Sequence, residues 1–431
     1  MTVEVHAAGS SHGRRRAEVE SAFRTLHERY LGAPPGFDAA YELRLGDLGL
    51  LYEVRCTEHG VRVLKGSTRR TADVVIGTDS ETWLALRQGE LSGLDAFQER
   101  RLYARGQVDL ALAFEGLFDL PSGRGPLVRI HDVPVGGGRP LSTLTTGEGP
   151  DVVLIHGLGA AKTSFFDTIA VLRHAGYRVH AIDLPGFGSS PAPLLAPYTA
   201  RWFAAEVIQW LDAMGIDRAH LVGNSLGGRV ALEVGLQAPE RVGGLVLLAP
   251  AVAFIRRDLH PVVRLLRPEL GLLPHSLRRA LVARQLWGMF ADADALDPSV
   301  ADIAVDEFQR TYGSAGARIA FFAAARNIYL DAPFGRDGFY PRLSALRPPA
   351  LFVWGTDDTM IPAAFRHHVR QWLPRAEQVV LADCGHVPQI ERAEEVTRLI
   401  RRHLGSAAAR RRASEPAAPP ADAGPAARRA A

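Results

Sequence analysis

The fold is decided by a short stretch, Leu221-Val222-Gly223-Asn224-Ser225-Leu226-Gly227, which closes an apolar run and opens a helical pattern. It contains Gly-x-Ser-x-Gly, which at such a junction indicates a nucleophile elbow. The sharp turn strains the serine backbone and holds the hydroxyl clear of the sheet. Glycine suits positions 223 and 227, because a Cβ at either place would collide with neighbouring backbone. We therefore predict that Ser225 is a nucleophile.

Size and composition indicate an ordinary folded protein with two domains. At 431 residues the chain exceeds the length at which one hydrophobic core stops growing. It is 47% hydrophobic and 23% charged, as globular proteins usually are. The net charge is only +3 and no nucleic-acid-reading motif is present, so we expect no nucleic-acid partner.

Cysteine content and hydropathy bear on cofactors and location. Cys56 and Cys384 are too few for a disulfide framework or a cysteine-based metal site, so we expect no metal, no organic cofactor and a reducing, cytoplasmic setting. The N-terminal segment lacks the apolar core of a signal peptide, and no apolar run reaches the ~18 residues of a membrane span. Peripheral contact with a membrane is left open.

The domain boundaries follow from shifts in composition. Residues 1–16 indicate a disordered leader, and residues 17–120 carry the short strand and helix patterns of a small α+β domain. A proline- and glycine-rich linker covers 121–126. Residues 127–405 form the second domain, and the alanine-, proline- and arginine-rich stretch 406–431 indicates a disordered tail.

The first domain begins with a helical pattern and continues as a sheet. Short alternating runs predict an antiparallel sheet with strands at 41–45, 50–55, 60–64 and 72–76. A helix is expected over Ser80–Gln88, ended by Gly89. The last strand, this helix and the segment Leu102–Leu112 resemble the sterol-carrier-protein-like lipid-binding fold. The resemblance implies an apolar tunnel for lipid or fatty acyl groups, and no catalytic residue.

The second domain alternates strand and helix after a leading hairpin. Apolar strand patterns lie at 151–155, 177–182, 219–222, 242–248, 350–354 and 378–381. This alternation predicts a parallel sheet covered by helices on both faces, with the active site beyond the carboxyl ends of the strands. From about 251 to 348 the alternation stops, and a helical, aliphatic segment predicts a cap that supplies an apolar pocket.

Two further motifs supply partners for Ser225. His386 follows the last predicted strand at the active edge, so we predict that it is the base that activates the serine. The preceding strand ends in two adjacent carboxylates, Asp357 and Asp358. One of them must orient the histidine, and the other is expected only to cap a turn. The chain order of serine, aspartate and histidine is that of the α/β-hydrolases.

A fourth motif, His156-Gly157-Leu158-Gly159, follows the central apolar strand. Its glycines allow backbone N–H groups to turn toward the site. We expect the N–H groups of Leu158 and Leu226 to form the oxyanion hole that binds the developing negative charge. His156 lies at the end of the strand and is expected to be structural.

Together these motifs resemble the α/β-hydrolase superfamily over residues 127–405. The resemblance is carried by segments at 156–159, 183–189, 223–228, 354–362 and 385–391. It implies that Asp358, four residues after Trp354, is the acid of the triad. A serine at position 225 argues against the haloalkane dehalogenase and epoxide hydrolase branches, which have aspartate at this place.

The residues therefore predict a serine hydrolase that cleaves an ester or thioester of an apolar acyl or lipid-like substrate through an acyl-enzyme. Two other enzymes could use the same triad, a carbon–carbon bond hydrolase and an acyltransferase. Carbon–carbon hydrolases tend to have a longer glycine-proline run after His-Gly, whereas this chain has Ala160-Ala161-Lys162. A non-catalytic lipid carrier is the alternative from a different class.

Overall fold

The computed structural model describes residues 3–34, 36–66, 72–119, 128–254, 267–273 and 277–414. For helical residues 3–11, 299 and 408–414 the description covers the backbone. The linker expected at 121–126 lies outside the described residues, as do residues 415–431 of the expected tail.

The N-terminal domain is a mixed sheet with helices packed against it. Its helices are α1 (Val3–Arg24), α2 (Ser80–Gln88), α3 (Gly93–Gln98) and α4 (Val108–Phe114). Its strands are β1 (Asp38–Leu45), β2 (Leu50–Thr57), β3 (Gly60–Lys65), β4 (Val74–Thr78) and β5 (Leu102–Gly106), in the order β3-β2-β1-β4-β5. Helix α1 takes in most of the stretch that was expected to be a disordered leader.

Helix α2 has the predicted bounds, because Asp79 caps its first turn and Gly89 adopts a left-handed φ of 70° at its end. The prediction of a purely antiparallel sheet is wrong at one pairing, since β1 and β4 run parallel. The chain crosses from β3 at one edge to the far side of β1, and this crossover sets the direction of β4. Alternating hydrophobicity shows that a strand exists but not which way its neighbour runs.

The core of this domain is aromatic. Phe23 of α1 stacks on Tyr52 at 3.7 Å and on Trp83 at 4.6 Å between ring centroids. Phe114 of α4 also packs against Trp83, with ring centroids 6.3 Å apart. The helices and the sheet thus close around a buried apolar centre.

The second domain contains an eight-stranded sheet in the order β13-β12-β11-β10-β8-β9-β7-β6. Its strands are β6 (Val128–Val135), β7 (Arg139–Thr146), β8 (Asp151–Ile155), β9 (Arg178–Ile182), β10 (Ala219–Asn224), β11 (Val242–Leu248), β12 (Ala350–Gly355) and β13 (Glu377–Leu381). Strands β8 to β13 are parallel, and β7 is antiparallel to β6 and β9. The predicted fold class is confirmed: a mainly parallel sheet with helices on both faces follows a small α+β domain.

Helices cover both faces of the sheet, and others form the cap. In chain order they are α5 (Phe166–His174), α6 (Ala200–Ala213), α7 (Leu226–Gln237), α8 (Arg279–Trp287), α9 (Pro298–Tyr312), α10 (Ala315–Leu330), α11 (Phe339–Leu343), α12 (Arg366–Trp372), α13 (Pro388–Glu391) and α14 (Ala393–Ser414). Helices α8 to α10 lie in the segment expected to be a cap. Helix α14 continues to Ser414, beyond the expected start of the tail.

The central strands are buried on both faces, which explains their unbroken apolar sequence. In β8, Val153 and Ile155 face one core cluster, whereas Val152 and Leu154 face the other. No helix among the described residues is long and apolar enough to cross a membrane.

A buried lysine joins the two domains. The Nζ atom of Lys162 donates to Asp183 Oδ2 at 2.6 Å, to Asp109 Oδ2 at 2.7 Å and to Ser142 Oγ at 3.1 Å. Asp109 belongs to α4 of the N-terminal domain, and the Lys162 side chain is 1% exposed. Burial alone would raise the pKa of Asp183, but Lys162 and other donors outweigh it and hold that pKa below its usual value.

We predict that Lys162→Met lowers the unfolding free energy by about 3–5 kcal/mol, because the buried carboxylates lose their cation. Lys65 is the matched control, since it is the only other lysine and its ion pair with Glu20 is exposed. Lys65→Met should change stability little. Urea unfolding of both variants measures the difference, and equal midpoints would contradict the structural importance of Lys162.

Candidate active site

Ser225 lies in a strained turn between β10 and α7, with φ 53° and ψ −115°. A Cβ on Gly223 would lie 2.3 Å from the carbonyl oxygen of Gly227, and one on Gly227 would lie 2.0 Å from that of Ile155. The backbone N–H of Ser225 donates to Leu248 at 2.9 Å. Close packing and hydrogen bonds therefore hold the serine in a conformation that it would not adopt alone.

The structure brings the three predicted side chains together. His386 Nε2 lies 2.9 Å from Ser225 Oγ, and His386 Nδ1 lies 2.8 Å from Asp358 Oδ2. They come from the carboxyl ends of three parallel strands, β10, β12 and β13. Because an ionised carboxylate can only accept, the histidine Nδ1 carries the proton and Nε2 is free to accept from the serine hydroxyl.

Asp358 also shapes its own loop. Its Oδ1 accepts from the N–H groups of Met360 at 2.9 Å and Ile361 at 2.8 Å, which fixes the carboxylate while Oδ2 meets the histidine. The sequence predicts that one aspartate orients the histidine and that the other only caps a turn. In the structure, Asp358 makes both contacts. Asp357 is exposed, and its carboxylate accepts from the Thr356 hydroxyl at 2.6 Å.

The loop that carries His386 is tied to the sheet and to the cap. Asn224 Nδ2 donates to the carbonyl oxygen of His386 at 3.1 Å and to that of Leu248 at 3.1 Å. The N–H of His386 donates to the carbonyl oxygen of Met289 in the cap at 2.7 Å. Sequence reasoning missed this positioning role of Asn224, because the only local signal was its place beside the serine.

Glu391 reinforces this loop. Its carboxylate accepts from the N–H of Gly385 at 2.9 Å and from that of Ala291 at 2.8 Å. Burial raises the pKa of Glu391, and these backbone donors oppose the rise. One glutamate therefore links the histidine loop to the cap.

His156 has a structural role, as expected. Its Nδ1 donates to the carbonyl oxygen of Gly157 at 2.7 Å, and its Nε2 accepts from the N–H of Leu184 at 3.0 Å. Burial lowers the pKa of His156, which keeps the imidazole neutral. Both ring nitrogens are occupied by backbone, so this histidine is not available as a base.

The two residues expected to donate to the oxyanion both lie near the serine, since Leu158 lines the same cavity as Ser225 and Leu226 follows it in the chain. Leu226 is the first residue of α7, where backbone N–H groups have no partner within the helix. Leu158 belongs to the loop after β8, and a Cβ on the neighbouring Gly157 would lie 3.3 Å from Ser225 Cβ. This loop is thus packed against the serine.

Ser225 and His386 open into a cavity of about 490 Å³ under the cap. That volume suits a small-molecule ligand. The walls are mostly apolar and include Phe254, Leu281, Val282, Leu286, Met289, Phe290, Ile303, Phe308 and Phe321. Among the described residues, no group of three histidine, cysteine, aspartate or glutamate side chains is placed to hold a metal ion.

Comparison with known proteins agrees with this architecture. The family model described as "alpha/beta hydrolase fold" matches residues 150–393, and the chain belongs to that family. The model of the SCP-2 sterol transfer family matches residues 35–119. The protein is therefore an enzyme of the α/β-hydrolase class with an N-terminal SCP-2-like domain.

Individual relatives differ in what they do. The chain is 33% identical to the dihydrolipoyllysine-residue acetyltransferase component of the acetoin cleaving system of Cupriavidus necator, over 60% of this chain and 65% of that protein. It is 31% identical to the pimeloyl-[acyl-carrier protein] methyl ester esterase of Aeromonas hydrophila, over 60% of this chain and 97% of that protein. It is 33% identical to the 2-hydroxymuconate semialdehyde hydrolase of Pseudomonas putida, over 61% of this chain and 89% of that protein.

Among solved structures, a membrane phospholipase A described as a bacterial virulence factor matches with a TM-score of 0.56 and 25% identity. The match covers 76% of this chain and 97% of that one. The similar proteins thus carry different activities in their names: an acetyltransferase component, a methyl ester esterase, a semialdehyde hydrolase and a phospholipase.

We predict that Asn224→Ala lowers kcat about ten- to hundredfold and leaves KM nearly unchanged, because the histidine loop loses an anchor and shifts. The matched control is Asn327→Ala, which removes a hydrogen bond to the carbonyl oxygen of Pro197 away from the triad. Steady-state kinetics on one ester measures both. Wild-type kcat in Asn224→Ala would show that this side chain does not position His386.

Proposed function

We propose that the protein is a serine hydrolase that cleaves an ester or thioester of an apolar acyl or lipid-like substrate. One observation carries the proposal: a hydrogen-bonded series from Ser225 through His386 to Asp358 lies at the base of an apolar cavity. The domain division proposed for this activity is 17–120 and 127–405, joined by 121–126, with the cap at about 251–348.

The chemistry follows from the positions of the atoms. Ser225 Oγ attacks the acyl carbonyl carbon while its proton passes to His386 Nε2, and Asp358 stabilises the imidazolium. The N–H groups of Leu158 and Leu226 bind the oxyanion, and each such donor typically lowers the barrier by about 2.7–4 kcal/mol. The leaving group takes the proton from His386. Water then attacks the acyl-enzyme by the same route and releases the acid.

The substrate class rests on the cavity and on the N-terminal domain. Cap residues such as Leu286 and Phe290 line the space next to Ser225, which favours an apolar acyl chain over a polar group. The SCP-2-like domain supports a lipid-like substrate, as do an esterase relative and a phospholipase structure. No metal or organic cofactor takes part in the proposed steps.

The second candidate is a carbon–carbon bond hydrolase or an acyltransferase with the same triad, which named relatives support. The residues after the His-Gly motif favour the first proposal, since this chain has Ala160-Ala161-Lys162 where carbon–carbon hydrolases tend to have a longer glycine-proline run. Product analysis separates the candidates: a transferase passes the acyl group to an acceptor other than water. A lipid carrier without activity would leave Ser225 unreactive.

We also propose a cytoplasmic protein that touches membranes at one surface. Cys56 and Cys384 are both buried free thiols. Leu194 and Leu195 are exposed, and the charged residues of the groove that they line are Arg267, Arg326 and Glu269. The excess of positive charge beside exposed leucines suits an anionic bilayer.

Leu195→Ser should weaken co-sedimentation with phosphatidylglycerol vesicles several-fold, because the leucine side chain is 99% exposed and available to insert. Leu31→Ser is the matched control, since Leu31 is exposed on the other domain. Equal sedimentation of wild type and both variants would reject this surface as a membrane contact.

We predict that Ser225→Ala lowers kcat/KM for p-nitrophenyl esters and acyl-CoAs on the order of 10⁴-fold or more, because the nucleophile is removed. Ser344→Ala, at an exposed serine that bonds the carbonyl oxygen of Pro341, should leave kcat/KM unchanged. Labelling with a fluorophosphonate provides an independent readout of the same hydroxyl. Retained turnover in Ser225→Ala would contradict the proposed mechanism.

The two adjacent aspartates provide a second control within this assay. Asp358→Asn should lower kcat about 10³- to 10⁴-fold, because an amide favours the wrong histidine tautomer. Asp357→Asn should stay within about threefold of wild type, because that carboxylate faces solvent. Equal losses in both variants would contradict the assignment of Asp358.

A further inference from the structure

Three apolar cavities follow one another from the serine into the N-terminal domain. The active-site cavity is the 490 Å³ space described above. A junction cavity of about 30 Å³ lies between the two domains. An N-terminal cavity of about 60 Å³ lies inside the SCP-2-like domain, and its walls include Leu26, Leu43, Trp83 and Phe114.

Two phenylalanines separate the first cavity from the second. Phe97 of α3 and Phe166 of α5 line both the active-site cavity and the junction cavity. Their rings meet edge to face, with centroids 5.2 Å apart and an interplanar angle of 74°. One ring comes from each domain, so this contact is the partition between the serine and the N-terminal domain.

The partition between the second and third cavities is also thin. Ile76, Leu102, Ala111 and Glu115 line both the junction cavity and the N-terminal cavity. Glu115 is the one carboxyl in the junction lining, and burial raises its pKa to about 7. Its carboxylate accepts from the N–H of Gly93, which holds it against the wall. The other residues that line the junction cavity are apolar.

The place where the rings meet is fixed by an arginine that contacts three parts of the protein. Arg100 lies over the Phe97 ring, 5.8 Å from its centroid. The same guanidinium pairs with Asp167 of α5 at 3.6 Å and with Asp297 before α9 at 3.3 Å. The N-terminal domain, the sheet domain and the cap thus converge at Phe97.

We propose that an acyl chain held in the N-terminal domain passes to Ser225 through these cavities without entering solvent, and that the Phe97–Phe166 ring pair is the gate. The proposal rests on the proposed hydrolase function, since it concerns the route to the same serine. The physical reason is that each methylene exposed to water costs free energy, which an internal apolar route avoids. Side-chain rotation at the Phe97–Phe166 pair and at the thin second partition is a far smaller motion than separation of the domains.

The test uses fluorophosphonates with alkyl chains of four, eight, twelve or sixteen carbons. Each chain carries a diazirine at the end far from phosphorus. Ser225 Oγ displaces fluoride from phosphorus, which anchors one end, and light then links the other end to whatever it touches. Mass spectrometry locates the linked residue. We expect the longest probes to label the N-terminal domain near Ile76, Trp83 or Phe114, and the shortest to label the cap.

Phe97→Trp enlarges the ring at the gate and should reduce N-terminal labelling by the long probes at least tenfold. Phe97→Leu replaces the ring with a smaller apolar side chain. It should retain most of the N-terminal labelling seen in wild type. Phe334→Trp is the matched control, because Phe334 is exposed and lines none of the three cavities. In Phe334→Trp, the long probes should label the N-terminal domain as strongly as they do in wild type.

The outcomes separate the route from the activity. Long probes that anchor at Ser225 and label only cap residues would overturn the route. N-terminal labelling that persists in Phe97→Trp would overturn the gate. Failure of even the four-carbon probe to modify Ser225 would instead refute the hydrolase function, and the route with it.

Discussion

The structure depends on one close backbone contact, in which the first turn of α7 lies against the end of β8. At Gly227 a single added carbon would lie 2.0 Å from the carbonyl oxygen of Ile155. Beside this contact, Ser225 keeps its strained conformation, and the loop with Gly157 and Leu158 packs against the serine. The free N–H groups at the start of α7 then face the place where negative charge would develop. The close approach of α7 to β8, and with it the turn at Ser225, therefore depends on the lack of a side chain at one position.

Around that turn, buried and half-buried polar groups hold loops that the sheet alone does not fix. Asn224 ties the His386 loop to β11, and Glu391 ties the same loop to the cap. Lys162 joins α4 of the first domain to the turn at Asp183. Each group is paired, as burial in a low-dielectric interior requires. The active site is thus held by long-range contacts between loops that follow different strands.

Much of the fold was accessible from sequence. The helix Ser80–Gln88, the alternation of strand and helix, and the chain order of Ser225, Asp358 and His386 were predicted, because periodicity, caps and turn glycines are local signals. The parallel pairing of β1 with β4 was not, because strand direction depends on a crossover. The sequence also did not predict that Asp358 both caps its own loop and orients His386. The contact with His386 joins residues far apart in the chain, so no local pattern shows it.

The two-domain organisation, the turn at Ser225 and the kinds of side chain around it could be inferred from the sequence. Those features arise from backbone conformation and hydrophobic period, which a few adjacent residues settle. Only the tertiary structure decided which aspartate meets His386, that Asn224 supports it, and that Phe97 of one domain meets Phe166 of the other. These contacts join residues far apart in the chain, and their geometry exists only once the sheet, the cap and the first domain have packed together.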